Sequence, residues 1–182
     1  MIVLGIVAVV ALIVIGIYNR LVALRQETGQ AWSDIEVQLK QRQDLVPQLV
    51  NTVKGYAKHE KETLDAVISA RGAAVSAGNP GEQAQAEGML SAALGKLFAL
   101  AEAYPDLKAN TNFLQLQDQL SDIENKIAAA RRFYNNAVSE YNTGREQFPA
   151  ILLAGMFGFQ ESEYFEAPEG REALQQPVEV KF

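Results

Sequence analysis

From Ile2 to Tyr18 the chain carries no charged and no strongly polar side chain. About 17 residues rising about 1.5 Å each cover roughly 25 Å, so a helix over this run crosses a hydrocarbon core of about 30 Å with little tilt. The run leaves through Ile17-Tyr18-Asn19-Arg20, which sets an aromatic ring at headgroup level and a cation just beyond it. A cleaved secretory signal requires a basic leading region and a small-residue cleavage site, whereas Met1 leads straight into the apolar run. A core helix of a soluble domain is the other alternative, and the anchor is preferred over both. Residues 1–19 therefore read as an uncleaved transmembrane anchor whose bilayer contact is made by residues 2–18. Arg20 and Arg25 follow it, and by the positive-inside tendency they place the bulk of the chain in the cytoplasm at the cell (inner) membrane, with the periplasm as the alternative.

The chain has 182 residues, enough for one soluble domain beyond the anchor. Residues 20–160 are assigned to that domain and residues 161–182 to a flexible acidic tail, in which Val178 to Phe182 alternate like an edge strand. With no cysteine there is neither a disulfide framework nor a thiolate site. The net charge of −6 supplies no global field for phosphate backbones, which argues against nucleic-acid binding.

Beyond the anchor, Ile35, Leu39, Val46, Leu49, Val53, Tyr56 and the stretch Thr63 to Val67 recur at steps of three and four, with Arg42 and Glu60 at two stripe positions. No turn signal follows Tyr18, so the anchor helix is expected to continue into this one, bending at Pro47 and ending near Gly72 to Gly81. Asn79-Pro80-Gly81-Glu82 then reads as an N-cap, a proline at the first helical position and a capping-box glutamate. The second helix carries Leu90, Leu94, Leu97, Ala101 and Tyr104, and stops at Tyr104-Pro105-Asp106. A third carries Phe113, Leu116, Leu120, Ile123, Ile127, Ala130, Tyr134, Ala137 and Tyr141, and ends around Gly144 to Pro149. The fold class is all-α: a transmembrane helix continuous with a long helix of an antiparallel three- or four-helix bundle. On this reading the first helix outruns its partners. Either it breaks near Pro47 and Gly55, or its unpaired stripe packs on a neighbouring chain, and the second option leads to an expected homo-oligomer. Ile151 to Phe159 reads as a short helix or turn plugging a bundle end, with a membrane-touching or partner-binding patch as the functional alternative.

Chemistry-bearing residues are sparse. His59, the one histidine, stands in His59-Glu60-Lys61-Glu62 without a second imidazole or a metal-ligand spacing, and reads as an exposed helix residue. Phosphate loops, a nucleophile elbow and paired catalytic carboxylates are absent as motifs, so no catalytic, cofactor-binding or metal residues are assigned. Arg42 interrupts an apolar stripe. It either pairs with Asp44, Glu36 or Glu124, fixing helix register, or snorkels to water along its stem. Arg131-Arg132 with Tyr134-Asn135 and Tyr141-Asn142 form either a basic hydrogen-bonding ridge or, for the tyrosines, ordinary core.

These segments together resemble the LemA family of bacterial membrane proteins. The resemblance is carried by Tyr18-Asn19-Arg20-Leu21-Val22, Ala31-Trp32-Ser33-Asp34-Ile35, Arg42, Asp44-Leu45-Val46-Pro47-Gln48-Leu49-Val50, Val53-Lys54-Gly55-Tyr56, Glu102-Ala103-Tyr104-Pro105-Asp106-Leu107, Ala130-Arg131-Arg132-Phe133-Tyr134-Asn135, Tyr141-Asn142 and Phe148-Pro149. It implies a single membrane helix followed by a helical bundle with its bulk in the cytoplasm, and it implies no reaction and no cofactor. The leading expectation is a non-enzymatic scaffold that self-associates and contacts other membrane or envelope proteins. A sensor that binds a small molecule or lipid near Ile151 to Phe165 is the alternative, and an enzyme has the least support.

Overall fold

The computed structural model describes residues 1–166. Among the described residues six helices follow in order: α1 (Ile2–Tyr56), α2 (Lys61–Ser76), α3 (Pro80–Ala101), α4 (Pro105–Lys108), α5 (Thr111–Glu146) and α6 (Ala150–Ala154). The all-helical class is as the periodicity predicts, with no strand among the described residues. The backbone of α1 is unbroken from the apolar run onward, and Pro47 is accommodated inside it. The single helix expected to end near Gly72 to Gly81 is instead cut at Ala57 to Glu60, just past Gly55, as the alternative of a broken first helix has it. Three local features account for the cut. Gly55 weakens the last turn, Lys54 lies there to face the negative helix end, and Glu62 opens α2 at its positive end. Ala57, fully buried, is the pivot, and Val53, Leu64 and Val67 join one core on either side of it. The stripe that appeared to outrun its partners therefore folds back within the chain, which removes that reason for expecting a neighbouring copy.

The chain divides into two compact units. The first comprises residues 1–35 and 130–164. Here α1 is apolar and long enough to cross a membrane, and none of its most apolar stretch is buried. Burial begins at its far end. Leu21, Tyr141, Ala150, Ala154 and Phe159 form a cluster on which Ile17, Val22 and Leu24 pack. Gly144 brings α5 close to α1, since a Cβ there would stand 2.8 Å from Leu24 Cδ1. Thr28 Oγ1, buried between the same two helices, lies 3.0 Å from the Leu24 carbonyl and 3.3 Å from that of Ala137. After α6 the chain reverses at Gly158, whose φ of 71° suits glycine. There the Phe159 amide bonds the Ala154 carbonyl and the Gly158 amide that of Gly155, a Schellman closure that turns Phe159 inward.

The second unit holds residues 36–129. Its core runs from Val46 and Leu49 of α1 through Leu64 and Val67 of α2, Leu90, Leu94 and Leu97 of α3 and Leu107 of α4 to Phe113, Leu116 and Leu120 of α5. The Asn79 cap forms as expected. Its side chain accepts from the Glu82 amide at 2.8 Å, and Glu82 accepts in return from the Gly78 amide at 3.0 Å. Asn110 caps α5 by accepting from the Phe113 amide, and its Nδ2 donates to the Tyr56 hydroxyl.

Candidate functional site

Arg42 is the centre of the most unusual chemistry in the second unit, because an arginine only 2% exposed must find partners for a charge and a fork of donors. The stripe of α1 carries it inward between Leu39 and Val46, and α3 and α5 answer it. Its Nη1 lies 3.0 Å from Glu124 Oε2 and 3.4 Å from Glu87 Oε2, while Nη2 donates to Ser91 Oγ at 2.6 Å. Of the three carboxylates offered by the sequence, Glu124 is the partner. Asp44 pairs instead with Lys40 on its own helix, and Glu36 stays exposed. The snorkelling alternative is excluded by this burial and pairing.

Glu87 is the partner that the sequence reading missed. Its Oε1 accepts from Gln43 Nε2 at 2.8 Å and from Gln83 Nε2 at 3.1 Å, and Gln83 also donates to the Ala74 carbonyl at 2.9 Å. Its Oε2 takes no hydrogen bond and faces the Arg42 guanidinium. Burial pushes the Glu87 carboxyl above the usual carboxylate range, against the opposing pull of the Gln43 bond, the Arg42 charge and the Gln83 bond. A signal was present. Stepping back from Leu97, Leu94 and Leu90 by threes and fours reaches Glu87 and then Gln83, two polar residues on a core stripe. An open cleft of about 460 Å3 adjoins this cluster, lined by Arg42, Ser91, Phe98, Gln117, Glu124 and Asn125 among others.

In the first unit the paired aromatic and asparagine residues of α5 act together. Tyr134 Oη donates to the Glu163 carbonyl at 2.7 Å and Tyr141 Oη to that of Gln160 at 2.8 Å. Asn142 donates to the Ser162 carbonyl and accepts from the Ser162 amide, both at 3.0 Å. The tyrosines are thus core residues whose hydroxyls clasp the segment after α6, while Arg131 and Arg132 are exposed, so the basic ridge is not formed by those tyrosines. Burial raises the Tyr134 phenol to about 12, with a lesser push from Glu163. Trp32 of α1 packs on Tyr134, ring centres 5.3 Å apart. The tail from residue 167, including the strand-like Val178 to Phe182, lies outside the described residues. His59 is exposed, but it stands in the turn between α1 and α2 rather than on a helix. Among the described residues there is no cluster of three metal-ligating His, Asp or Glu side chains.

What these elements define is a class: an apolar, membrane-length helix continuous with a helical domain whose buried charges pair with one another. The LemA family model matches residues 31–182, and the chain belongs to that family. It is 29% identical over 195 residues to magnetosome protein MamQ 2 of Paramagnetospirillum magneticum, covering 92% of this chain and 71% of the relative. It is 27% identical over 180 residues to magnetosome protein MamQ of Magnetospirillum gryphiswaldense, covering 84% of this chain and 66% of that protein. Protein LemA of Metamycoplasma hominis is 26% identical over 156 residues, 85% of this chain and 71% of its own length. The family match begins beyond the apolar run, so the anchor assignment stands on the chemistry of residues 2–18.

Proposed function

We propose that this protein is a membrane-anchored, non-enzymatic helical scaffold, held to the bilayer by residues 2–18 with its remaining helices on the cytoplasmic side. The observation that carries the proposal is α1 itself, an unbroken helix that is exposed throughout residues 2–13 and whose full burial starts just past Tyr18, at Leu21. Such a run exposed to water carries a large hydrophobic cost that lipid removes. The buried charges fit a structural role, since Arg42 and Glu87 are engaged with each other and with Ser91, Gln43 and Gln83. Relatives named as magnetosome proteins support a component's role, because that name refers to belonging rather than to a reaction. Self-association and contact with other membrane proteins belong to the same proposal.

Flotation of the full chain with vesicles after alkaline washing tests the anchor, and light scattering in mild detergent tests the assembly. Recovery in the washed membrane and a mass above the monomer are expected. Release by alkali contradicts the anchor, and a monomer at every concentration contradicts the scaffold. A second reading, a ligand-responsive module, is favoured by the cleft beside Arg42, and a thermal-shift screen with small carboxylates and amines tests it.

A further inference from the structure

Phe148 to Phe159 reads Phe-Pro-Ala-Ile-Leu-Leu-Ala-Gly-Met-Phe-Gly-Phe, without one charged or hydrogen-bonding side chain. One side of it is packed, because Ala150, Ala154 and Phe159 are buried with Leu21 and Tyr141. Its other large side chains are exposed: Phe148 is 81% exposed, Met156 80% and Leu152 63%, with Ile151 and Phe157 also exposed. Their position along α1 is fixed by contact. Tyr18, the last residue of the apolar run, meets Phe157 edge-on at 5.2 Å and Phe159 at 5.6 Å, and Ile17 packs on the same cluster. Leu21, at the centre of that cluster, lies less than one helical turn, about 5 Å, beyond Tyr18. Arg25 stands over the Phe159 ring at 5.2 Å, on the side of the cluster away from the run.

We propose that this segment is a second membrane contact, in which Phe148, Ile151, Leu152, Met156 and Phe157 enter the boundary between headgroups and acyl chains beside the anchor. The proposal rests on the reading of residues 2–18 as a span. Given that span, the depth of the segment is dictated by Tyr18, whose ring belongs at the interface. An exposed apolar surface packed against that ring meets lipid before any other partner, and short amphipathic elements of this kind bind by burying their apolar face a few ångströms into the boundary. Tilt of the span is thereby restricted, since two separated contacts fix the orientation of the first unit where one helix alone leaves it free to rotate.

The chain has no cysteine, so a single introduced thiol is a unique label site. Val10→Cys, Glu140→Cys, Leu152→Cys and Met156→Cys, each in the full chain, are labelled with a small fluorophore in phosphatidylcholine/phosphatidylglycerol vesicles containing acyl-chain nitroxide lipids. All four positions are exposed, so the fold is retained, and an unchanged helical circular dichroism spectrum checks this. Quenching several-fold stronger at 152 and 156 than at 140, and shallower than at 10, is expected. Strong quenching at 10 with 152 and 156 as unquenched as 140 overturns the second contact and leaves the span intact. Rapid disulfide formation between copies at 156, without lipid quenching, overturns it in favour of a second chain. An unquenched Val10 overturns the span itself, and 152 and 156 then decide the second contact by their own quenching.

Discussion

Replacing Arg42 with methionine keeps the stem's bulk and deletes the charge. Removing one partner of a buried ion pair costs about 3–5 kcal/mol, because the other charge is left without compensation. Two features of this cluster place the cost at the lower end. Glu124 is 55% exposed and is taken over by water, and Glu87, already raised by burial, can neutralise itself by taking up a proton. Arg42→Met is therefore expected to destabilise the chain by about 3 kcal/mol at neutral pH, or roughly 6–12 °C in melting temperature for a chain of this size. In acid, where Glu87 is protonated, the loss falls to about 1 kcal/mol, the worth of the bonds to Ser91 and Glu124. Adding Glu87→Gln to Arg42→Met removes the stranded charge and recovers most of the loss at neutral pH. Urea titration of the full chain in detergent, followed by helical circular dichroism, provides the assay. A single variant within about 0.5 kcal/mol of wild type, or a double variant no better than the single, refutes the claim that paired burial of Arg42 organises this core.

Glu87→Gln alone mimics the protonated acid. Because the folded carboxyl binds its proton more tightly than an ordinary glutamate does, wild type loses stability relative to this variant as pH rises from about 4.5 through the folded value, and paired melting curves across that window read the difference. Tyr134→Phe removes the bond to the Glu163 carbonyl and costs about 0.5–1.5 kcal/mol by urea titration. In wild type the phenol adds an alkaline loss of stability between its ordinary value of 10.0 and about 12, where the unfolded chain ionises first, and this component is absent in Tyr134→Phe. Gly144→Val drives a branched side chain toward Leu24 and lowers stability by about 1–3 kcal/mol, whereas Gly144→Ala is milder because the Leu24 tip can turn away.

Features set by short stretches of sequence were legible. The apolar run, the Asn79-Pro80-Glu82 start and the stripe from Phe113 to Tyr141 each satisfy a local rule, and each forms where that rule places it. The break at Ala57 was obscured because Tyr56 and Thr63 stay in step across it, and a stripe's phase does not report whether its backbone reverses. Gly55, Lys54 and Glu62 were the competing signals. At the Arg42 cluster, Glu124 was reachable from its place on α5, while Glu87, in phase with the core stripe of α3, was passed over because a stripe traced through apolar residues alone stops at Leu90. The clasp of Tyr134, Tyr141 and Asn142 on residues 160–163 is made to backbone atoms, and a backbone acceptor leaves no trace in residue type.

The central claim is that one helix leaves the bilayer and enters the helical domain without interruption. Nitroxide scanning of single cysteines from Val3 to Ile35 in vesicles, comparing oxygen with a water-soluble relaxation agent, tests it most directly. The predicted record is high oxygen and low aqueous accessibility on every face through residue 16, then a 3.6-residue oscillation from Leu21 onward with minima at Leu21, Thr28, Ala31 and Ile35. Aqueous accessibility within residues 6–13, or loss of the helical period between Tyr18 and Arg25, contradicts it.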